Sequence, residues 1–535
     1  MPRQWWPSSM RPFVVCKSIE VGLAGFEPAT SCTQSRRATK LRYSPAPNGI
    51  TVWAQFINIA QGGISAGPVG RASSGKTSAP TVTMVTMTVE AIWAAPQASG
   101  PLHATVTIPG SKSLSNRYLI LAALGSRPVR LAGLLRSRDT DLMIRALEAL
   151  GVVCRIDPSD HTNVMVVPPT GGRFHGGTLV DCGLAGTVMR FVPGLAMLAD
   201  GPTRFDGDEQ AYRRPMRPLL DGLAQLGAKI EYLGEEGFLP FMLTPPAHLV
   251  GREVIIDSSA SSQFISGLLL LAARAGGTMT IVHSGQHLPS LPHIAMTVED
   301  LHQAGVRVQA DPDHCRWSVE GRGSAGTQLP DQVQVEPDLS NAAPFLGAAL
   351  IGGGQVSVPN WPDHTTQPGG LLPRYLKTMG AKVDMAPDGQ GSAACKVTGG
   401  EAIHGLGDFD LSPAGEIVPS IAAMLVFADG PSRLHGIAHL RGHETNRLKA
   451  LVTEIIRVGG HAAELDDGLE IEPVPSQSMH GAAMKTYADH RMATFAAMIG
   501  LRIPGIRVRD IGTTAKTLPD FPNMWKRMLA GGGQD

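Results

Sequence analysis

Apolar runs that end on a glycine recur along the chain from Met87 onward. LILAALG ends at Gly125, GLAMLADG at Gly201, LLLAARAGG at Gly277, LGAALIGGG at Gly354 and AAMLVFADG at Gly430, with a weaker AAMIGLRIPG ending at Gly505. The intervals are 76, 76, 77, 76 and 75 residues, and a fixed period of this length marks a repeated structural unit. A second marker runs out of phase. Gly151, Gly227, Gly305, Gly380 and Gly459 each follow an apolar residue four positions earlier: Leu147, Leu223, Leu301, Leu376 and Ile455. That spacing puts the apolar side chain on the face where an amphipathic helix closes on its glycine cap. Alternating segments such as Lys229-Ile230-Glu231-Tyr232 and Lys382-Val383-Asp384-Met385 follow, and they predict strands. Each of six units is therefore expected to hold two helices and several strands in an α/β arrangement. A plain α/β solenoid with no active site would show the same period.

Residues 1–86 do not share the pattern. They carry Trp5, Trp6 and Trp53, clusters such as Thr77-Ser78-Ala79-Pro80, and no sustained helical or strand period. A segment that buries so little apolar surface cannot order itself, so residues 1–86 are read as a spurious or disordered extension, with translation expected to start at Met84 or Met87. Gly22 to Pro47 resembles spurious translations of stable-RNA genes. The acid-poor, Arg- and Ser-containing composition would also suit a targeting peptide, although the apolar core of a secretory signal is missing. Gly70-Arg71-Ala72-Ser73-Ser74-Gly75-Lys76-Thr77 matches the phosphate-loop pattern GxxxxGK[ST]. That pattern works where a buried strand delivers the loop to a helix start. Here Ile64-Ser65-Ala66-Gly67-Pro68 and Ser78-Ala79-Pro80 supply neither, so a P-loop kinase is disfavoured.

Composition narrows the picture. The chain has 535 residues, 43% hydrophobic and only 17% charged, a globular balance rather than a disordered one. The formal net charge is zero, yet residues 1–86 sum to +7 and leave the remainder at −7. No apolar run approaches the roughly 18 residues that a membrane span needs, and no long basic stripe suggests nucleic acid. The six cysteines are scattered, without a CxxC pair or a His cluster at zinc spacing, so a reducing compartment and no metal are expected.

The candidate chemistry sits where the first helix of each unit should begin. Ser115-Asn116-Arg117, Ala185-Gly186-Thr187, Ser261-Ser262-Gln263, Asp338-Leu339-Ser340-Asn341, Gly415-Glu416 and Ala488-Asp489-His490 occupy those starts. Small polar residues there are ordinary capping. Lys112, Arg117, Arg190 and Arg491 are not ordinary, because a cation at a positive helix end costs up to about 1 kcal/mol unless an anion is held nearby. Arg214, Arg441, Arg447 and Lys516 stand in comparable settings. With an acidic body the positive potential has to be local, and guanidinium forks suit carboxylate and phosphate. A small molecule with several negative groups is the expected ligand class.

Eight segments then carry a family resemblance: PGSKSLSNR (Pro109 to Arg117), AGTVMR (Ala185 to Arg190), Arg214-Pro215, SSQF (Ser261 to Phe264), GEIVP (Gly415 to Pro419), HETNR (His443 to Arg447), YADHRM (Tyr487 to Met492) and AKTLPDF (Ala515 to Phe521). In order and spacing, over about residues 90–530, the chain resembles the 5-enolpyruvylshikimate-3-phosphate synthases of the enolpyruvyl transferase family. The resemblance implies two domains, each of three βαβαββ repeats, with a ligand cleft between them: residues 110–335 in one, 87–109 plus 336–535 in the other. It implies a cytoplasmic, monomeric enzyme of aromatic amino-acid biosynthesis that moves the enolpyruvyl group of phosphoenolpyruvate onto the 5-hydroxyl of shikimate 3-phosphate, without metal or organic cofactor, membrane or nucleic acid. Carried over, Lys112, Ser113, Arg117, Ser261, Ser262, Gln263, Ser290, Glu416, His439 and His443 would face shikimate 3-phosphate. Lys112, Gly186, Arg214, Gln263, Arg447, Arg491 and Lys516 would hold phosphoenolpyruvate. Lys112, Glu416 and Glu444 would be catalytic, since the chemistry asks for an acid, a base and cations.

Four positions depart from the family pattern. Glu416 stands where many members have Asp, His443 where others have Lys, His439 for Asn, and Asn446 for Asp. Two alternatives remain on the same scaffold. A UDP-N-acetylglucosamine enolpyruvyl transferase would have Cys at the position of Glu209, and a non-catalytic anion-binding protein would bind without turnover.

Overall fold

The computed structural model describes Phe13–Ile19, Met84–Glu90 and residues 92–387, 393–442 and 444–531. Gly70 to Thr77 and His443 lie outside the described residues. Phe13–Ile19 and Met84–Glu90 make a two-stranded sheet that, but for Glu90, lies within a unit of its own. The first of these strands falls where no strand period was expected.

The unit from Glu90 onward is the six-fold repeat. Among the described residues it contains twelve α-helices: α1 Lys112–Ala123, α2 Arg138–Ala149, α3 Gly186–Ala196, α4 Arg217–Gln225, α5 Gln263–Ala272, α6 Leu291–Gln303, α7 Leu339–Gly352, α8 Leu372–Thr378, α9 Val418–Leu425, α10 Arg447–Arg457, α11 His490–Gly500 and α12 Phe521–Leu529. The odd-numbered helices run toward the glycines of the first marker, and α2, α4, α6, α8 and α10 toward those of the second. Their burial differs as their patterns do. In α5 every residue from Phe264 to Ala272 is buried, whereas α4 buries only Leu219, Leu220, Gly222 and Leu223. A helix that is apolar all round belongs inside, and one with a single apolar stripe covers the outside.

Each unit contributes one small mixed sheet. In the second, Thr178–Asp181 pairs parallel with Thr203–Asp206, which pairs antiparallel with Phe241–Thr244 and that with Lys229–Tyr232. Three sheets borrow a strand from elsewhere along the chain. Gln332–Gln334 joins Val129–Ala132 in parallel, and Leu102–Thr105 joins Gly354–Trp361. Ile92–Ala94 likewise pairs with Arg507–Arg509 in the sixth sheet. These exchanges close two rings of three units. Buried apolar side chains accordingly form two clusters, one drawn from Leu114 to Val335, the other from Trp93 to Ile108 and Leu339 to Met528.

The chain passes between the clusters at two adjacent points. Gly110 bridges Pro337, with Ser111 N–H donating to Glu336 C=O at 2.8 Å and Asp338 N–H to Pro109 C=O at 2.9 Å. Directly after each passage a helix starts on a polar cap. The Ser111 side chain accepts from Leu114 N–H, and Asp338 from Asn341 N–H. The inner helix ends of both clusters thereby face a common gap.

Candidate active site

The helix starts predicted to carry chemistry differ in how they are finished. Asn446 caps α10 by accepting from Lys449 N–H at 3.1 Å, and Asp489 caps α11 by accepting from Arg491 N–H at 2.8 Å. At α3 the cap position is Ala185, and at α5 it is Ser262; neither makes a side-chain cap bond. The first-turn N–H groups of α3 remain donors for something else, whereas at α5 Gln263 N–H donates to Ser261 Oγ and Phe264 N–H to Ser261 C=O. Side-chain capping therefore accounts for α1, α7, α10 and α11 and is absent at α9, where the cap position is Ile417, and at α3 and α5.

At the starts of α3 and α5 the cations have no acid. Arg190, 3% exposed, donates Nη2–H to Pro215 C=O at 3.1 Å, and its Nε–H is buried without a partner. Arg214 donates Nη1–H to Leu184 C=O at 2.9 Å. Among the described residues neither has a carboxylate within ion-pair distance. Burial, with Arg214 beside it, pushes the Arg190 pKa well below the usual guanidinium value; burial also lowers Arg214, against Glu444 and Asp139. The place is crowded around Gly186: a side-chain carbon there would stand 2.9 Å from Arg214 Nη2, 3.1 Å from Gln263 Oε1 and 3.3 Å from Arg190 Nη1. A side chain at 186 would press on the ends of these three side chains, which glycine leaves in place around the α3 start.

The opposite wall is charge-paired. Arg447, 1% exposed, reaches Asp489 Oδ2 at 2.7 Å, Glu444 Oε2 at 2.8 Å and Glu416 Oε2 at 3.3 Å. Arg491 Nε lies 3.3 Å from Glu416 Oε2, close enough for charge attraction but not aligned for a hydrogen bond, while its Nη1–H donates to Ser340 C=O at 3.0 Å. Lys516, at the end of the 3₁₀ turn Ile511–Lys516, pairs with Glu444 Oε1. Burial would raise the Glu444 pKa, but Lys516 and Arg447, with Lys112 adding to them, hold it well below the usual carboxylate range. Burial also depresses His490, with Arg491 next in weight, so the imidazole is neutral.

Lys112 connects the two walls. Its Nζ is 3.5 Å from Asp139 Oδ2. Its pKa is lowered first by burial and then by Lys516, against Asp139, Glu444 and Glu416. Lys112 and Asp139 belong to the first cluster's helices, and Lys516, Glu444 and Glu416 to the second's. Mutual influence of this kind requires the groups to share one gap.

Comparison with known proteins shows the family of the chain. The sequence model of EPSP synthase (3-phosphoshikimate 1-carboxyvinyltransferase) matches residues 96–525. The chain belongs to the EPSP synthase family. It is 65% identical over 440 residues to the 3-phosphoshikimate 1-carboxyvinyltransferase of Bifidobacterium longum (strain DJO10A), covering 82% of this chain and 98% of that protein. Two EPSP synthase structures from Acinetobacter baumannii share the fold at 24% identity, with TM-scores of 0.69 and 0.67 over 82% and 81% of this chain and 98% and 97% of theirs.

Within this family frame the remaining predicted residues fall at different depths. Ser261 and Ser262 lead into Gln263 at the α5 start, with Gln263 N–H donating to Ser261 Oγ at 3.3 Å. Ser290 opens α6 in a left-handed conformation, φ 55°. His439 packs on the residue before Glu416: a side-chain carbon on Gly415 would lie 2.5 Å from its Nε2. Arg117 is 2% exposed and donates to Thr297 Oγ1 at 2.8 Å, Ser113 C=O at 3.1 Å, His293 C=O at 2.9 Å and Ser266 Oγ at 3.5 Å. These bonds use most of the guanidinium, so Arg117 reaches a ligand with one N–H at most. Arg441 turns away to Glu464 Oε1 and the carbonyls of Leu465 and Asp466. Two carboxylates were not singled out from the sequence, Asp139 and Asp489. Asp489 lies inside the quoted YADHRM segment, where it read only as a cap; Asp139 carried no signal beyond its place near Ser137 at the start of α2.

Proposed function

We propose that this chain is a 3-phosphoshikimate 1-carboxyvinyltransferase, transferring the enolpyruvyl group of phosphoenolpyruvate to the 5-hydroxyl of shikimate 3-phosphate with release of phosphate. The observation that carries the reading is the unequal pairing of the cations: Arg190 and Arg214, at the open start of α3, have no ion-paired carboxylate, whereas Arg447, Arg491 and Lys516 already hold Glu416 and Glu444. A ligand bearing phosphate and carboxylate satisfies the first wall and competes for the cations of the second.

Phosphoenolpyruvate is assigned to Lys112, Gly186, Arg214, Gln263, Arg447, Arg491 and Lys516. Shikimate 3-phosphate is assigned to Lys112, Ser113, Arg117, Ser261, Ser262, Gln263, Ser290, Glu416, His439 and His443. The 5-hydroxyl oxygen bonds to C2 of phosphoenolpyruvate as its proton passes to Glu416, while C3 gains a proton from Glu444. The C2–O bond to phosphate then breaks as Glu444 recovers a proton from the new methyl group, restoring the double bond. Glu444 is ionised in the empty site because Lys516 and Arg447 hold it so. When the substrate's anionic groups take over those cations, the carboxyl's pKa rises and it can carry a proton at neutral pH. Lys112 and the guanidinium groups stabilise the charge that develops, in a gap from which closure excludes water.

Residues 110–335 and 336–535 with the strands before Pro109 are assigned as the two closing domains. Both walls come from one chain, which supports a monomer, and a cytoplasmic location accompanies the pathway role. No described helix is long and apolar enough to cross a membrane. The test is phosphate release: both substrates together yield phosphate and neither alone does, whereas release from phosphoenolpyruvate alone, or none, defeats the reading. Lys516→Ala is expected to raise the KM for phosphoenolpyruvate by about tenfold or more, as loss of a charge-assisted contact does, and to move the KM for shikimate 3-phosphate much less.

A further inference from the structure

We infer that Glu454 and Tyr487 form a buried tether that positions Asp489 and Arg491, a role that rests on the assignment of Arg491 to phosphoenolpyruvate. Glu454 lies in α10, seven residues after Arg447, and is wholly buried. Its Oε1 accepts from the Tyr487 hydroxyl at 2.7 Å; its Oε2 accepts from Arg457 Nε–H at 2.9 Å and from Lys485 N–H at 3.1 Å. Both oxygens thus fasten the segment that leads into α11 onto the side of α10. Leaving a buried carboxylate's oxygens unbonded is costly, so all three bonds hold the side chain in place.

What is fastened is an unfavourable piece of backbone. Tyr487 and Ala488 both have positive φ, 55° and 57°, a region that a bulky side chain enters only when its surroundings hold it there. The next residue is Asp489, which bonds Arg447 Nε and caps α11 through Arg491 N–H. Two left-handed residues in succession set the direction in which the chain enters α11. Release of the tether lets them relax to negative φ and turns Asp489 and Arg491 together. Helix α10 and the segment entering α11 are therefore joined twice, at the start of α10 by Arg447 with Asp489 and two turns further along by Glu454 with Tyr487. Glu454 touches no substrate in this account and is a positioning residue.

The test uses Tyr487→Phe, Glu454→Gln, Glu454→Ala and the double variant Glu454→Ala/Tyr487→Phe, with the KM of each substrate, kcat and melting temperature measured for the full chain. Tyr487→Phe is expected to raise the KM for phosphoenolpyruvate about five- to twentyfold while the KM for shikimate 3-phosphate stays within about twofold, since misplacement of one anchor weakens the ligand it holds. Glu454→Gln, which still accepts from the tyrosine hydroxyl, recovers most of the affinity lost in Glu454→Ala. The double variant is no worse than its worse parent because both remove one device. Equal rises for both substrates, a lower melting temperature with neither KM changed, or effects that multiply in the double variant would overturn the tether. Should Glu454→Ala fail to fold, Tyr487→Phe and Glu454→Gln decide. An Arg491→Lys control separates the two levels: if it leaves phosphoenolpyruvate KM unchanged, the assignment of Arg491 fails and the tether with it, while a raised KM there beside an unaffected Tyr487→Phe overturns the tether alone.

Discussion

The two walls of the gap hold similar numbers of cations and treat them in opposite ways. At the ends of α3 and α5, Arg190 and Arg214 rest against carbonyl oxygens, with a buried Nε–H left unbonded. At the ends of α10 and α11, Arg447 is bound by three carboxylates and Lys516 by one of the same three. The first wall is an anion receptor waiting to be filled. The second is neutralised from within and has to exchange partners before it can bind or react. On the proposed mechanism, binding energy spent on that exchange converts Glu444 from counterion to proton carrier.

The largest consequence falls on Glu444. Glu444→Gln is expected to lower kcat by roughly 10²- to 10⁴-fold, the scale of a lost general acid, yet phosphoenolpyruvate affinity, measured by fluorescence or calorimetry, should not fall, because the competitor for Lys516 and Arg447 is gone. A parallel loss of affinity would mean that the second wall is not self-neutralised in the way described.

His490 sharpens the contrast at lower pH. Its pKa is depressed by burial and by Arg491, so the folded state refuses a proton that the unfolded chain accepts below its ordinary value near 6.5. The unfolded state then binds more protons, and stability falls as pH drops through that value, by up to about 1.4 kcal/mol per pH unit. Urea unfolding between pH 7 and 5 should show this slope, and His490→Gln should flatten it; an unchanged slope would place the titrating group elsewhere.

The smallest effect tests the unpaired wall. Replacing Arg190 by Met removes a buried cation that has no acid, so stability should rise by roughly 1 kcal/mol while phosphoenolpyruvate binding weakens. If stability and binding fell together, Arg190 would be a structural member rather than part of a receptor held open.

Much of this was legible before any coordinates. The two glycine series placed eleven helix ends, and the burial of α5 against the half-buried α4 follows from continuous versus striped apolar pattern. The eight family motifs named Glu416, Glu444, Arg447, Arg491 and Lys516, which do converge. Arg117 illustrates what a motif hides: its place in PGSKSLSNR suggests a ligand contact, and only packing against Thr297, Ser266 and the His293 carbonyl reveals how little of it is left over. The capping residues were legible by type, including Ala185, which has no side-chain acceptor; the absence of a cap bond at Ser262 was not, because whether a hydroxyl turns back to its own helix depends on what surrounds it. Phe13–Ile19 appeared as a strand where the local pattern offered none.

The chain's own pattern thus fixed the number of units, the inner and outer helices and the residue types at the helix starts, all of which depend on spacing along one segment and on the cost of exposing apolar surface. Tertiary structure decided which cation meets which carboxylate, that Glu454 reaches Tyr487, and that one wall is left uncompensated. Those outcomes join residues up to hundreds of positions apart, and the energy of an ion pair or a buried hydrogen bond depends on ångström-scale distance and on exclusion of water, neither of which any local stretch of sequence can encode.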